Sequence, residues 1–419
     1  DEEIERVNRE IEIEVGEPDM EDKSGVPEVT SVETAPIVKM VNIILQKAAA
    51  SLASDVHLEP YEDMLLVRYR VDGQLIEVMK HSKNIHPALV ARIKIISGLN
   101  IAEKRLPQDG RITIKVEKKN YDLRVSTLPT MFGEKVVIRL QDKTSFNVTK
   151  KDLGLFDDDM ELFEGIMSHP HGIILVTGPT GSGKSTTLYT ALRDLSKPNV
   201  NVLTVEDPVE SVVRGVNQVQ VNPKAGLDFS NALRSFLRQD PDIIMVGEIR
   251  DGDTAEIAVR AAITGHLVLS TLHTNDTASA VTRIIDMGIE PFLISSSIVG
   301  LIAQRLVRKL CPKCKEEYEP DTAEIEALGL KGSDQKIYRA KGCSNCNDTG
   351  YRGRIAIFEI MTMNTKIREM VTKRVPSDQI KEIAVNNGMR TLKDSAIRYV
   401  KDGVTSVEEM LRVTYSTTQ

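Results

Sequence analysis

The chain has 419 residues, more than the ~250–300 at which a single hydrophobic core usually stops growing, so we expect at least two domains. Charged residues make up 27% and hydrophobic residues 41% of the chain, which excludes a disordered or collagen-like protein. The net charge of −7 argues against wrapping of nucleic acid, and no apolar run reaches the ~18–20 residues that cross a bilayer. We therefore expect a cytoplasmic protein that does not bind nucleic acid.

The first segment, residues 1–30, is rich in acidic residues and contains Gly16, Pro18 and Pro27. This composition is typical of a tail or linker. Because the first residue is Asp1 and not Met, we expect a longer protein with a further N-terminal region. We predict no fold for this acidic segment.

The next segment alternates between helical and strand patterns and predicts a small α+β domain over residues 31–142. An Asp-Gly pair between two alternating runs indicates a hairpin. The predicted elements are a helix from Pro36, a hairpin of 65–71 and 75–79, a helix over 87–98, a hairpin over 111–125 with its turn at 118–120, and a strand over 136–140.

Two arginines lie in the strands of this domain. Because strand side chains alternate between faces, Arg124 and Arg139 point away from their apolar neighbours. They are either solvated arginines on an exposed sheet face or arginine fingers. An arginine finger reaches a neighbouring subunit and stabilises the charge on a transferred phosphoryl group.

Residues 143–160 carry few core signals, so we predict an interdomain linker there and a second domain over 161–419. In that domain, residues 178–185 fit the pattern G-x-x-x-x-G-K-[ST] between a strand-like run and a helix-compatible segment, which is the context of a phosphate-binding P-loop. Lys184 would contact the β- and γ-phosphates, and the hydroxyl of Ser185 would hold Mg²⁺. The predicted nucleotide contacts are Gly178, Thr180, Gly181, Ser182, Gly183, Lys184, Ser185 and Thr186.

Acidic residues follow the short apolar strand over 202–205. In an open α/β sheet, ligands bind at the carboxyl ends of the strands. Glu206, Asp207 and Glu210 are therefore candidates for positioning Mg²⁺ or an attacking water. The alternative is an acidic loop without a catalytic role.

Asp242 precedes a continuous apolar run over 243–246, which is typical of a buried parallel strand and is followed by Gly247 and Glu248. A Walker B strand usually ends in an aspartate that holds Mg²⁺, but here glycine takes that place. Glu248 is our first choice for polarising the attacking water.

Two histidines, His266 and His273, flank the predicted strand over 267–272. At about 3.3 Å per residue they lie roughly 20 Å apart, so both cannot touch one γ-phosphate. His273, at the carboxyl end, is the candidate for sensing that phosphate. For His266 we expect a structural role or a subunit contact.

All four cysteines lie in two C-x₂-C pairs, Cys311 with Cys314 and Cys343 with Cys346. Two such pairs predict a tetrahedral zinc site with four thiolate ligands. Disulfides are the competing interpretation, but cytosolic proteins rarely keep them. A shell of four cysteines leaves no open position, so the predicted zinc is structural, within an insert over 311–354.

These motifs together resemble the secretion-superfamily ATPases that assemble type IV pili or drive type II secretion. The resemblance covers about 31–415 and includes the paired C-x₂-C. Its other motifs are ASDVHLEP at 53–60, RLPQDGR at 105–111, LRVSTLPT at 123–130, GPTGSGKST at 178–186, TVEDPVE at 204–210, LRQDPDIIMVGEIRD at 237–251 and TGHLVLSTLHT at 264–274.

The resemblance implies a PAS-like α+β domain joined to a RecA-like α/β ATPase domain with a zinc-binding insert and C-terminal helices. It implies a homo-hexamer that uses ATP, Mg²⁺ and zinc and touches the inner membrane only through a platform protein. It favours the arginine-finger role for Arg124 and Arg139 and adds Arg234 and Arg238 as nucleotide contacts. It also argues against a retraction motor, because such motors lack the insert.

Within that family, residues 64–110 favour pilus assembly, with type II secretion as the alternative. A RecA-like DNA translocase is less favoured because the chain is acidic. A nucleotide-binding scaffold that switches without hydrolysis is a further alternative.

Overall fold

The computed structural model describes residues 11–14, 34–116, 119–142, 146, 148–330 and 336–415. The chain divides into two compact units, residues 1–145 and 146–419. Within the described residues, no helix is both long and apolar enough to cross a membrane.

The first unit contains an antiparallel sheet with the strand order β1-β5-β6-β7-β2-β3-β4. Its strands are Ile11–Glu14 (β1), Ala53–Pro60 (β2), Met64–Val71 (β3), Gln74–Ser82 (β4), Gln108–Val116 (β5), Lys119–Thr130 (β6) and Gly133–Asp142 (β7). Its helices are Thr34–Ala50 (α1) and His86–Ile96 (α2), with a 3₁₀ turn at Lys83–Ile85.

Both helices contribute to one hydrophobic core with the sheet. Ile44 and Leu89, from α1 and α2, are buried together with Val56 and Leu123 from the strands. Alternate strand residues thus face the helices, as the period-two pattern predicts. The unit is an α+β domain.

Two details of the first unit differ from the sequence prediction. Residues Ile11–Glu14, in the segment for which no fold was predicted, pair antiparallel with β5 and extend the sheet by one strand. The second hairpin turns earlier than predicted, because Lys119 is already paired with Val116. The remainder of the predicted acidic tail lies outside the described residues.

The second unit contains a sheet with the order β10-β9-β11-β12-β8-β13-β16, in which only the β13–β16 pair is antiparallel. Its strands are Gly172–Thr177 (β8), Val202–Glu206 (β9), Val216–Gln220 (β10), Ile243–Val246 (β11), Leu267–Leu272 (β12), Ile298–Leu310 (β13) and Tyr351–Thr362 (β16). A separate two-stranded sheet is formed by Glu316–Tyr318 (β14) and Ile337–Arg339 (β15).

Helices cover both faces of this sheet. They are Asp157–Met167 (α3), Lys184–Leu195 (α4), Phe229–Phe236 (α5), Gly252–Ile263 (α6), Thr277–Asp286 (α7), Pro291–Ser297 (α8), Thr322–Leu328 (α9), Thr365–Thr372 (α10), Ser377–Asn386 (α11), Leu392–Lys401 (α12) and Val407–Thr414 (α13). The 3₁₀ turns are Lys150–Leu153, Pro223–Ala225 and Ser344–Cys346.

Successive residues of the central strand β8 enter different cores. Ile173 and Leu175 pack in one hydrophobic cluster, whereas Ile174 and Val176 pack in another. The strand is therefore buried on both faces, as its continuous apolar sequence predicts.

The boundary between the units differs from the predicted linker over 143–160. Phe146 already packs against Tyr189 and Val213 of the second unit, and α3 begins at Asp157. Apolar residues in a polar stretch thus belong to the core. Residues 143–145 and 147 lie outside the described residues.

Candidate active site and cysteine cluster

The phosphate loop connects β8 to α4 and requires glycine at several positions. Gly178, Gly181 and Gly183 have φ of 153°, 78° and 89°. A Cβ at Gly178 would lie 2.5 Å from the carbonyl oxygen of Gln304 and 2.6 Å from the hydroxyl of Ser182. The backbone therefore approaches its neighbours more closely than any other residue would allow.

Lys184 is the first residue of α4, and its side chain is buried. Its Nζ donates hydrogen bonds to the carbonyl oxygens of Gly178 at 2.7 Å and Pro179 at 3.1 Å. Burial lowers the pKa of Lys184 to about 8. The hydroxyl of Ser182 is buried without a hydrogen-bond partner in the described structure. A buried ammonium, a donor hydroxyl and a helix N-terminus fit a triphosphate.

Ser185 is the next residue, and its side chain is exposed. Its hydroxyl could serve as a ligand of a Mg²⁺ ion bound beside those phosphates.

Glu248 lies just beyond the carboxyl end of β11, and two basic side chains face it. His273 Nε2 is 3.3 Å from Glu248 Oε2, and Arg250 donates to Oε1. Burial raises the pKa of Glu248, but the hydrogen bonds and charges of Arg250 and His273 outweigh it, so the pKa lies below its ordinary value. Glu248 is therefore ionised at neutral pH, and its charge acts on Lys184.

The two histidines of β12 stand at opposite ends of the strand, as predicted. His266 Nδ1 lies 2.8 Å from the carbonyl oxygen of Ala261, close to the end of α6. His273 lies just beyond the carboxyl end of β12, beside Glu248. The structure thus brings one histidine to the site and leaves the other in a local contact.

Glu206 has a different environment from the one predicted for a magnesium or water ligand. It is buried, and its carboxylate accepts hydrogen bonds from Thr204 at 2.6 Å, Gln218 at 3.0 Å and the hydroxyl of Tyr189. Three protein donors surround this carboxylate because Tyr189, on α4, reaches across to the end of β9. Asp207 is exposed and Glu210 is half-buried, so the acidic loop itself reaches the surface.

Arg305 is a site residue that the motifs did not indicate. It lies on β13, is buried, and donates from Nη2 to the carbonyl oxygen of Asn275 at 2.9 Å. A Cβ at Gly178 would lie 3.1 Å from its Nη1, so the guanidinium borders the phosphate loop. Burial lowers the pKa of Arg305. Only its place on a strand paired with β8 could have revealed it.

Arg124 and Arg139 are direct cross-strand partners on β6 and β7 of the first unit. Arg139 is exposed and lies with its Nε 3.1 Å from Asp55, and Arg124 donates to Gln141 at 3.4 Å. Their strand neighbours such as Leu123 are buried, so both arginines lie on the face opposite the core.

Arg234 lies in the last turn of α5 and Arg238 two residues beyond its end, and both are exposed. Arg234 donates to Ser230 at 3.3 Å, and Arg238 donates to the carbonyl oxygen of Arg234 at 2.9 Å. Their hydrogen bonds are therefore local to this helix.

The four cysteines meet in one cluster. The Sγ atoms are 3.9 Å apart for Cys311 and Cys343, 3.8 Å for Cys314 and Cys346, and 3.7 Å for Cys343 and Cys346. All four sulfurs lie within 4.8 Å of one another. Four thiolates around zinc, with Zn–S of about 2.3 Å, would lie roughly 3.8 Å apart, so the donor set fits a tetrahedral zinc ion.

The phosphate loop, Glu248 beyond the carboxyl end of β11 and His273 beside it are together the features of a P-loop nucleotide hydrolase. The family model described as "Type II/IV secretion system protein" matches residues 30–412, and the chain belongs to that family. It is accordingly an ATPase of the type II/IV secretion superfamily.

Relatives from both branches of this family are similar to the chain. It is 50% identical over 383 residues to the type II secretion system protein E of Pseudomonas aeruginosa, covering 91% of this chain and 76% of that protein. It is 49% identical over 387 residues to the type IV pilus assembly ATPase PilB of Myxococcus xanthus, covering 91% of this chain and 68% of that protein.

Solved structures of the superfamily share the fold. The pilus retraction motor PilT with bound ADP matches with a TM-score of 0.59 and 26% identity, covering 90% of this chain and 96% of that one. The ATPase DotB of Legionella pneumophila matches with a TM-score of 0.65 at 21% identity, covering 94% and 98%. The α/β fold of the secretion ATPases is thus confirmed.

Proposed function

We propose that this chain is a cytoplasmic motor ATPase that uses ATP hydrolysis to power assembly of a type IV pilus through an inner-membrane platform protein. The observation that carries the ATPase part of this proposal lies where the parallel strands end, at the carboxyl-end edge of the sheet, which we call the catalytic edge. There, Glu248 lies 3.3 Å from His273 and acts electrostatically on Lys184 of the phosphate loop.

The proposed roles follow from the charges at that edge. Lys184 exchanges the carbonyl oxygens of Gly178 and Pro179 for the β- and γ-phosphate oxygens of ATP. Ser185 would hold Mg²⁺, which neutralises phosphate charge when bound. The ionised Glu248 accepts a hydrogen bond from the attacking water, and His273 responds to the γ-phosphate beside it. Glu210 is a second candidate for orienting this water.

We propose further that the first unit is PAS-like, the second is RecA-like, and six copies form a ring. In such a ring, Arg124 and Arg139 would be arginine fingers, with Arg234 and Arg238 as further nucleotide contacts. Support comes from the first pair, since Arg139 is exposed directly across the strands from Arg124. A planar guanidinium in that position suits the charge of a transferred phosphoryl group.

Zinc is proposed as the structural ion of the cysteine cluster. Support comes from the sulfur distances around Cys346, which fit a tetrahedral ion. The ion would hold the two C-x₂-C turns together and would take no part in hydrolysis.

Type II secretion is the second candidate function. Its support is that a type II secretion system protein E is as similar to this chain as a pilus assembly ATPase is, with 50% and 49% identity. The catalytic edge serves both machines equally, so the choice depends on the partner proteins.

The two functions are separated by deleting the gene in its source organism and complementing with wild type or with Glu248→Gln. Surface pili are counted by electron microscopy while secreted proteins are assayed. Loss of pili with intact secretion supports the assembly motor, whereas intact pili with substrates trapped in the periplasm assign the chain to type II secretion. Full rescue by Glu248→Gln would contradict both and favour a non-hydrolysing scaffold.

A further inference from the structure

Tyr189 connects the P-loop helix α4 to the acidic loop that follows β9. Its hydroxyl donates to the carboxylate of Glu206 and accepts from the backbone N–H groups of Glu210 at 3.1 Å and Ser211 at 3.3 Å. A phenol donates one hydrogen bond and accepts up to two, so its capacity is filled. The ring is buried and packs against Phe146, with the ring centroids 5.1 Å apart. Both ends of the side chain are thus fixed.

Gln218 makes a second connection between the same carboxylate and the same loop. Its Nε2 donates to Glu206 at 3.0 Å and to the carbonyl oxygen of Ser211 at 3.0 Å. Its Oε1 accepts from the backbone N–H of Val213 at 2.7 Å. Glu206 therefore accepts hydrogen bonds from two side chains, those of Tyr189 and Gln218. Each of these side chains is also hydrogen-bonded to the backbone of the acidic loop.

We propose that Tyr189 is a positioning residue for ATP hydrolysis, which fixes the acidic loop and its Glu210 relative to the phosphate loop. Lys184 begins the helix that carries Tyr189, and Glu210 is hydrogen-bonded to Tyr189 through its own backbone. The hydroxyl of Tyr189 thereby sets the distance between a phosphate held by Lys184 and the Glu210 carboxylate. This inference rests on the ATPase function proposed above, and it gives Glu206 the role of supporting Tyr189.

The consequence for kinetics is selective. A misplacement of about 1 Å can lower the rate of a positioned reaction ~10²-fold. ATP binding, in contrast, depends on Lys184 and the glycine backbone of the phosphate loop, which Tyr189 does not touch. Loss of the hydroxyl should therefore lower kcat and leave KM for ATP nearly unchanged.

The test uses Tyr189→Phe in the whole chain, which removes one oxygen atom and keeps the ring packed on Phe146. We expect kcat to fall by about ten- to a hundred-fold while KM for ATP changes by less than about two-fold. Tyr399→Phe is the matched control, because Tyr399 is also buried and donates to a backbone carbonyl, that of Gly154. It should lower the melting temperature without changing kcat.

Two variants of Glu206 test the same connection from its other end. Glu206→Gln keeps an acceptor oxygen for Tyr189 but sets its amide N–H groups against the Nε2 donor of Gln218, so its kcat should lie between those of wild type and Glu206→Ala. Glu206→Ala should lower kcat as Tyr189→Phe does. The double variant, with Tyr189→Phe and Glu206→Ala together, should be no slower than either single variant. A Glu206→Ala variant with the wild-type kcat would overturn the supporting role of Glu206.

The outcomes separate the two proposals. If wild type hydrolyses ATP and Tyr189→Phe does so at the same kcat, the positioning role is wrong and the ATPase function stands. The positioning role is also wrong if Tyr189→Phe lowers only the melting temperature, as expected for Tyr399→Phe. If wild type turns over ATP no faster than Lys184→Ala, the proposed function itself fails.

Discussion

The phosphate loop and the cysteine cluster are both built on short motifs at strand ends, but they satisfy their polar groups in opposite ways. In the loop, the Nζ of Lys184 donates to the carbonyl oxygens of Gly178 and Pro179, and the buried hydroxyl of Ser182 has no partner in the described structure. In the cluster, the sulfurs face one another, and Cys346 Sγ accepts from the N–H groups of Cys343 and Gly350 at 3.2 Å each. Lys184 can therefore exchange its carbonyl partners for phosphate oxygens, whereas the sulfurs of the cluster remain bonded within the protein.

The largest expected effect is the loss of ATP turnover when Lys184 is removed. Lys184→Ala removes the cation that the phosphates would bind, so we expect ATP turnover to fall by about 10³-fold or more. The melting temperature should change little, since the lysine bonds only to loop carbonyls. Steady-state phosphate release and thermal unfolding measure the two quantities. Lys197→Ala, at an exposed position in the same unit, is the control.

Glu248→Gln should have the next largest effect. It keeps an acceptor for Arg250 but loses the charge that polarises water, so we expect kcat to fall by roughly 10²-fold while ATP still binds. Nucleotide binding measured by fluorescence, beside phosphate release, separates the two steps. Glu256→Gln, which breaks only an exposed pair with Arg260, should behave as wild type. Equal losses of binding and turnover would count against the catalytic role.

Cys343→Ser should show the opposite pattern in the cysteine cluster. Loss of one thiolate weakens the ion that joins the two turns, so we expect a melting temperature lower by about 5–10 °C and reduced zinc content, with kcat per folded molecule unchanged at 25 °C. Ser344→Ala alters the neighbouring residue without removing a ligand and is the control. Normal thermal stability of the wild-type protein with no bound metal would contradict the zinc assignment. A loss of kcat in Cys343→Ser without a loss of stability would contradict the structural role of the cluster.

The smallest effect is a pH dependence of ATP binding. Because the pKa of free Lys184 is lowered to about 8, the ammonium is largely charged at pH 7 and largely neutral at pH 9. Binding of an anion requires the charged form, so affinity should fall as pH rises, by about ten-fold over that interval. Titration calorimetry across the interval measures it. In Lys184→Ala the remaining weak binding should lack this dependence; the same slope in both proteins would assign it to another group.

The strands β8, β9, β11 and β12 of the second unit could be predicted closely from the sequence. The strand before the phosphate loop and the strand ending beside His273 have continuous apolar runs, and each is buried on both faces. The site around Glu206 could not be predicted, because its partners Tyr189 and Gln218 lie on other elements and belong to no motif. Arg305 was missed for the same reason.

The first 160 residues show where local patterns are insufficient. The strand of Ile11–Glu14 is short and lies in an acidic segment, and only its pairing with β5 defines it. The linker was predicted too long because Phe146 is a single apolar residue among polar neighbours, and its burial depends on the distant Tyr189. Contacts between residues far apart in sequence thus account for both differences.

The strand β13 runs without a break from the phosphate loop to the cysteine cluster. Ala303 pairs with Thr177 at the start of the loop, and the strand ends at Leu310, immediately before Cys311. At about 3.3 Å per residue, the eight steps from Ala303 to Cys311 span roughly 26 Å. β16 pairs with it along most of this length, with one register shift between Arg308 and Leu310. Because a single strand joins the two sites, a displacement of β13 beside the phosphate loop would also move Cys311 and, through it, the cysteine cluster.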